Sequence, residues 1–266
     1  MGRVGVYAAL VRAQIRAQTQ YRLSFAFDLL FNVVITFVDT VTILVIFRIT
    51  PVLGGFDLPD ALLLSALAGI AFALADLSVG NIERLPKYVR EGLLDTVLVR
   101  PLGALSQLIV GDLSIRRIGR IVQGLGVLIV AVVLADVRFT PAVAAMLIIV
   151  PLAGAVTFAA IFVTGASLSF WLVEAGEVAN AFTYGGRDFT LYPTTVYTGW
   201  FRRAFAYGLG FAAVIYFPTL AILGRPDPLG TPTWLHWVAP GVAVVWCGVA
   251  WLAWRTGIRR YRSTGS

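Results

Sequence analysis

The sequence predicts an all-α integral membrane protein: six transmembrane helices, an N-terminal interfacial helix, and a charged helical segment between spans 2 and 3. Re-entrant helices are expected before span 6. Three observations lead there. Hydrophobic residues make up 59% of the chain and charged residues 13%, about half the charged share of a soluble domain. The apolar residues fall in long runs, and 266 residues hold roughly six spans of about 20 residues with their connections. The basic residues behind the net charge of +7 sit at the ends of those runs and not on one soluble face. That placement argues against nucleic-acid binding and for a bilayer partner.

Residues 1–22 are amphipathic. Arg3, Arg12 and Arg16 interrupt Val4, Leu10 and Ile15, and no small-residue cleavage site follows. The segment is expected to lie along the cytoplasmic interface and not to be a removable signal. Span 1 is placed at about 23–47. At 100° per residue its Asp28, Asn32, Asp39 and Thr42 fall within about 80° of one another, a narrow polar stripe. Each aspartate costs ~2.5–3.5 kcal/mol to insert, but seventeen large apolar residues offset this, so the helix should still cross. The stripe should face protein and not lipid. It serves either inter-helix hydrogen bonding or a polar path or interface.

Residues 50–60 carry Asp57 and Asp60 and no base, as an outer loop would. Span 2 is placed at about 61–79, with Asp76 near its inner end. Residues 80–101 follow, holding the only lysine, Lys87, with Glu83, Arg84, Arg90, Glu91, Asp95 and Arg100. Ile82, Leu85 and Val89 share one helical side, continued after Gly92 by Leu93, Val97 and Leu98, while Glu83, Lys87 and Glu91 make an i,i+4 ladder. This reads as two short amphipathic helices bent at Pro86 and Gly92, either a docking surface or a solvated loop. Asp112 and Arg116 form a further i,i+4 pair.

Span 3 is placed at about 118–135 and span 4 at about 142–168, with Pro151 as a kink site. Span 5 has two placements. Hydropathy favours about 204–223, keeping Arg202 and Arg203 inside; alternatively 175–191 crosses, and 192–218 forms re-entrant helices shielded by protein. Span 6 is placed at about 237–254, with Trp234, Trp237, Trp251 and Trp254 at its two ends. With both termini cytoplasmic, 15 of the 21 bases fall on the inner side, as the positive-inside rule requires. No linker or repeat divides the chain, so residues 1–266 read as one domain.

Several chemistries are excluded. A phosphate-binding G-x-x-x-x-G-K-[ST] loop needs a lysine after glycine, and Lys87 stands in L-P-K-Y. The chain is therefore not a P-loop ATPase. G-A-S-L-S at 165–169 departs from the serine nucleophile elbow, and the sole histidine, His236, belongs at the opposite face. One histidine and one cysteine, Cys247, leave no expected metal site. Glu174 and Glu177 share a helical face without the marks of an acid–base pair. No enzymatic activity is expected of this chain.

The run E-G-L-L-D-T-V-L-V-R-P (91–101) resembles the E-G-x-L-D-x-x-L-x-R-P signature of type-2 ABC transporter permeases, specifically the uncharacterised six-span exporter group. N-I-E-R-L-P (81–86), Tyr21-Arg22 with Phe25, Y-P-T-T-V-Y-T-G-W-F-R-R (192–203) and Y-F-P-T-L-A-I-L-G (216–224) are similar to other parts of that group. The resemblance implies a permease subunit of an ATP-driven exporter in a bacterial cytoplasmic membrane. It implies a second permease, the same or related, and two nucleotide-binding subunits that hold ATP and Mg; this chain itself needs no cofactor. Residues 80–101 would be the coupling helix, with Glu83, Arg84, Lys87, Arg90, Glu91, Asp95 and Arg100 contacting the ATPase. The re-entrant placement of 192–218 is favoured. Substrate would pass by alternating access at the permease dimer interface, with Asp28, Asn32, Asp39 and Thr42 lining the path or the interface. The alternatives are a motor-independent carrier or channel, in which the span 1 acids titrate, and a non-transporting membrane anchor.

Overall fold

The structure is a computed structural model. It describes Arg12, Arg16 and residues 22–111, 117–172 and 175–262. The expected interfacial helix, the Asp112–Arg116 pair and Glu174 lie outside the described residues. So do the side chains of Asp28 and Asn32.

Among the described residues the chain is helical, and its sole bridge, Leu53 with Phe56, closes a loop. α1 (Arg22–Ile49) has 28 residues, about 42 Å at 1.5 Å per residue. α2 (Leu58–Val79) opens where Asp57 accepts a 3.2 Å bond from the Asp60 N–H, the usual answer to unpaired first-turn donors. A 3₁₀ turn (Gly80–Arg84), α3 (Leu85–Arg90), α4 (Leu94–Leu98) and α5 (Ala104–Val110) make up the segment that follows. Then come α6 (Ile118–Leu134), α7 (Pro141–Ser167) and α8 (Ala175–Thr190). α7 is capped by Thr140, whose hydroxyl accepts from the Val143 N–H, and continues through Pro151.

α2 is the hub, with 15 of its 22 residues buried. It packs against α6 and α7, and α7 packs in turn against α8 and α11 (Ala239–Arg260). α2 and α7 approach so closely that a Cβ at Gly154 would stand 2.6 Å from the Ala71 methyl. Helices in lipid associate largely through such close packing, because lipid tails are as apolar as leucine.

After α8 the chain turns at Tyr192-Pro193 into α9 (Gly199–Arg202), two π-helical stretches (Arg203–Gly208 and Ala212–Tyr216) and α10 (Phe217–Leu223). The two limbs of this unit, Gly199–Gly208 and Ala212–Leu223, meet at 62°. The break falls at Gly210, whose φ of +78° suits glycine. The Trp246 indole N–H of α11 donates to the Leu209 carbonyl at 2.8 Å, taking up an oxygen freed by the break. Phe189, Tyr197, Phe201, Phe205 and Phe211 pack ring to ring along it.

At the other end of α2, Arg225 pairs with the buried Asp60 and reaches Asp57 at 3.6 Å. Nearby, Thr195 donates to the Gly54 carbonyl and Tyr216 donates to Asp227. These bonds hold 50–60 against 195 and 225–231.

By length and composition three helical stretches can cross a membrane: Leu58–Arg90, Pro141–Phe170 and Ala239–Arg260. The bent pair makes a fourth if it is one span. α6, with 17 residues, is about 26 Å long and slightly short for a full crossing.

Candidate functional site

Leu58–Arg90 runs as one helical stretch, which corrects the expected bend at Pro86. Proline in the first turn of α3 supplies no N–H where none is required, so the helix passes on through it. The break falls at Gly92, with φ of +69°. That left-handed residue resets the helical phase. In consequence Leu94 is buried and Leu93 and Leu98 are exposed, against the seam expected from unbroken spacing. Ile82, Leu85, Leu94 and Val97 anchor the segment to the core. The Gln107 amide also donates to the Val97 and Leu102 carbonyls, both at 3.0 Å, and Asn81 donates to the Leu108 carbonyl.

The seven charged residues of this segment divide into two sets. Glu83 is partly buried and accepts a 3.3 Å bond from the Tyr184 hydroxyl of α8; burial pushes its carboxyl up, against the pull of that bond. Asp95 is half-buried beside Tyr261, just past α11; desolvation first, then the nearby carboxylate, raise the tyrosine hydroxyl above its ordinary value. Glu83 thus ties the segment to α8, and Asp95 is drawn in close to the end of α11. Arg84, Lys87, Arg90, Glu91 and Arg100 are exposed instead. Among them stand Leu93, Leu98 and Val99, the last 82% exposed. The outward face therefore carries four cations, one anion and three apolar knobs.

The span 1 stripe is only partly brought together. Asp39 pairs with Arg187 of α8, which also pairs with Asp188 at 3.0 Å. Thr42 is exposed and donates to the Val38 carbonyl of its own helix at 2.8 Å, so its hydroxyl is not committed to a partner helix.

Below this pair lies a cluster that charge spacing does not disclose. Asp76, with its side chain 3% exposed, stands 3.0 Å from Arg117 and 3.1 Å from Arg120. Arg117 also donates to the Asp76 backbone carbonyl, capping the end of α2 where unpaired carbonyls need donors. Between the two ion-paired groups α1, α2, α6 and α8 line a partly open cavity of about 240 Å³. Asp39, Thr40, Ser65, Phe72, Arg120, Gln123, Tyr184 and Arg187 line it together with aliphatic residues and glycines. Arg187 lies 5.6 Å over the Phe72 ring, a cation–π contact.

Arg187, Gln123 and Tyr184 escape sequence reasoning. Asp39 and Arg187 lie 148 positions apart, and no local spacing marks them as partners. No group of three or more His, Cys, Asp or Glu able to hold a metal occurs among the described residues. A family model described as ABC-2 family transporter protein matches residues 33–265. No curated protein and no solved structure matches the chain.

Proposed function

This chain belongs to the ABC-2 transporter family and is a multi-pass permease subunit of an ABC transporter; we propose that it is an exporter subunit driven by ATPase subunits gripping residues 84–100. The observation that carries the reading is the division of the charged segment. Of its inner acids, Glu83 accepts from Tyr184 and Asp95 is half-buried, while Arg84, Lys87, Arg90, Glu91 and Arg100 are exposed around Leu93, Leu98 and Val99. Apolar knobs within a charged rim suit a protein partner, and ion pairs would set its register. Leu58–Arg90 is one helical stretch, so a push on α3 would pass along α2 as a rigid body.

In this reading α1, α2, α6, α7, α8 and α11 are the six spans of a single domain, with both termini cytoplasmic in a bacterial cytoplasmic membrane. The bent pair of 199–223 is then re-entrant on the outer side, as its 62° break supports. A second permease, the same or related, would complete the path, and two nucleotide-binding subunits would supply ATP and Mg. Asp28, Asn32 and Asp39 would line that path or the interface. Glu83 and Asp95 would act as internal struts of the coupling segment, not as contacts to the ATPase. The carrier alternative would need Asp39 available to a transported ion, and Asp39 is already paired with Arg187.

Purification of the chain under mild conditions from its native membrane tests the reading. A stoichiometric ATPase subunit is expected to co-purify, with hydrolysis abolished by a P-loop substitution in that subunit. Substrate transport by the chain purified to homogeneity, with no nucleotide-hydrolysing partner, would refute it.

A further inference from the structure

Gln123 is the one polar side chain of the 240 Å³ cavity with both ends of its amide unused. It lies on α6 one turn beyond Arg120, and neither Nε2 nor Oε1 meets a partner among the described residues. Apart from the Thr40 hydroxyl, the other polar groups at the wall are spent. Ser65 donates to the Leu62 carbonyl at 3.1 Å, Tyr184 to Glu83, Arg187 to Asp39 and Asp188, and Arg120 to Asp76. Ile43, Phe72, Val127 and Leu191 supply the apolar remainder. Buried polar groups in folded proteins are normally hydrogen-bonded, so an amide free at both ends beside a cavity calls for a partner that can donate and accept at once.

We propose that this cavity, formed by one chain and open on one side, binds an uncharged amphipathic molecule whose head carries a hydrogen-bond donor next to an acceptor, as an amide or a vicinal diol does. Charge decides the class. Every carboxylate and guanidinium that lines the cavity already faces an opposite charge: Asp39 and Arg187 each other, and Arg120 the Asp76 carboxylate. An ionic ligand would add an unpaired charge inside the membrane or break an existing pair, and both are unfavourable at low dielectric. A neutral head leaves the pairs intact and meets the Gln123 amide, with its chain lying on Phe72, Ile43 and Val127. The volume falls below the ~300–1,000 Å³ of pockets that take drug-sized ligands, so the site suits one head group and a short chain. The cavity shares only Asp39 with the proposed path, and its occupation requires no ATPase.

The test is equilibrium binding to the intact complex in phosphatidylcholine nanodiscs, with empty nanodiscs as the blank. Three probes of equal chain length are used at neutral pH: octanamide, octanoate and octylamine. Saturable binding of octanamide at one site per chain is expected, at least about tenfold tighter than the two ions, which corresponds to about 1.4 kcal/mol. Gln123→Leu should weaken it about tenfold. Gly69→Leu should abolish it, because a Cβ at this cavity-lining glycine meets nothing within 4 Å and the longer side chain would occupy the space. Gln123→Glu should shift preference toward octylamine, while Val122→Ala, on the exposed side of α6, should change nothing. Absence of saturable octanamide binding, equal binding of all three probes, or unchanged binding in both Gln123→Leu and Gly69→Leu would overturn the proposal. A co-purifying ATPase is scored separately, so the transport reading stands or falls on its own result.

Discussion

Asp76→Ala should destabilise the permease by about 3 kcal/mol, the lower end of the ~3–5 kcal/mol lost when one member of a buried ion pair is removed. The carboxylate is almost fully enclosed, and Arg117 and Arg120 converge on it from the start of α6. Their side chains are 23% and 28% exposed, so each guanidinium can partly re-solvate by snorkelling, which is why the lower end applies. Even so, 3 kcal/mol is a large part of a typical stability of ~5–15 kcal/mol. For a chain of this size it corresponds to a fall of ~6–12 °C in the unfolding midpoint. Fluorescence-detected size exclusion after heating in detergent measures it. Replacing Asp76, Arg117 and Arg120 together by leucine should recover most of the loss, since no unpaired charge then remains. A midpoint unchanged in Asp76→Ala would mean that the cluster does not hold α6 to α2.

The combined substitution Arg84→Glu, Lys87→Glu and Arg90→Glu should weaken binding of the ATPase by at least about tenfold while leaving the permease folded. It turns an outward face of four cations and one anion into one cation and four anions. Single exposed ion pairs are worth only ~0.2–1 kcal/mol, so one reversal would be hard to read. Three reversals convert attraction into repulsion at once and sum to roughly 1–6 kcal/mol. The inner acids provide the contrast. Glu83→Gln alters the bond from Tyr184 and Asp95→Asn removes a half-buried charge, so they should lower thermal stability or ATPase stimulation more than partner affinity. Pull-down at two salt concentrations separates the two sets. Binding through the outer cations must weaken with salt, because exposed charges are screened.

The helical membrane character of this chain is legible because long apolar runs can satisfy their backbone in lipid only as helices or closed barrels. The charged segment is legible as well, since seven charges within residues 80–101 break an apolar surround. Its internal phase is not. Gly92 takes a left-handed conformation, and one such residue moves burial from Leu93 to Leu94. Nor does the ladder of Glu83, Lys87 and Glu91 reveal that its first member turns inward, because Tyr184 lies 101 residues away. The span 1 stripe shows the same limit. Helical spacing puts Asp39 and Thr42 on one face, yet Asp39 meets Arg187 while Thr42 bonds its own backbone. Hydroxyls readily satisfy themselves one turn back, so threonine in a helix is a weak sign of a polar path.

The most direct measurement of the central claim is site-specific photocrosslinking in intact cells, with a benzophenone amino acid placed in turn at Lys87, Val99 and Thr231. Adducts with an ATPase subunit are predicted from Lys87 and Val99 and none from Thr231. Labelling of position 87 or 99 by a membrane-impermeant reagent added from outside, or a preparation that transports with ATP yet gives no adduct from either site, would contradict it.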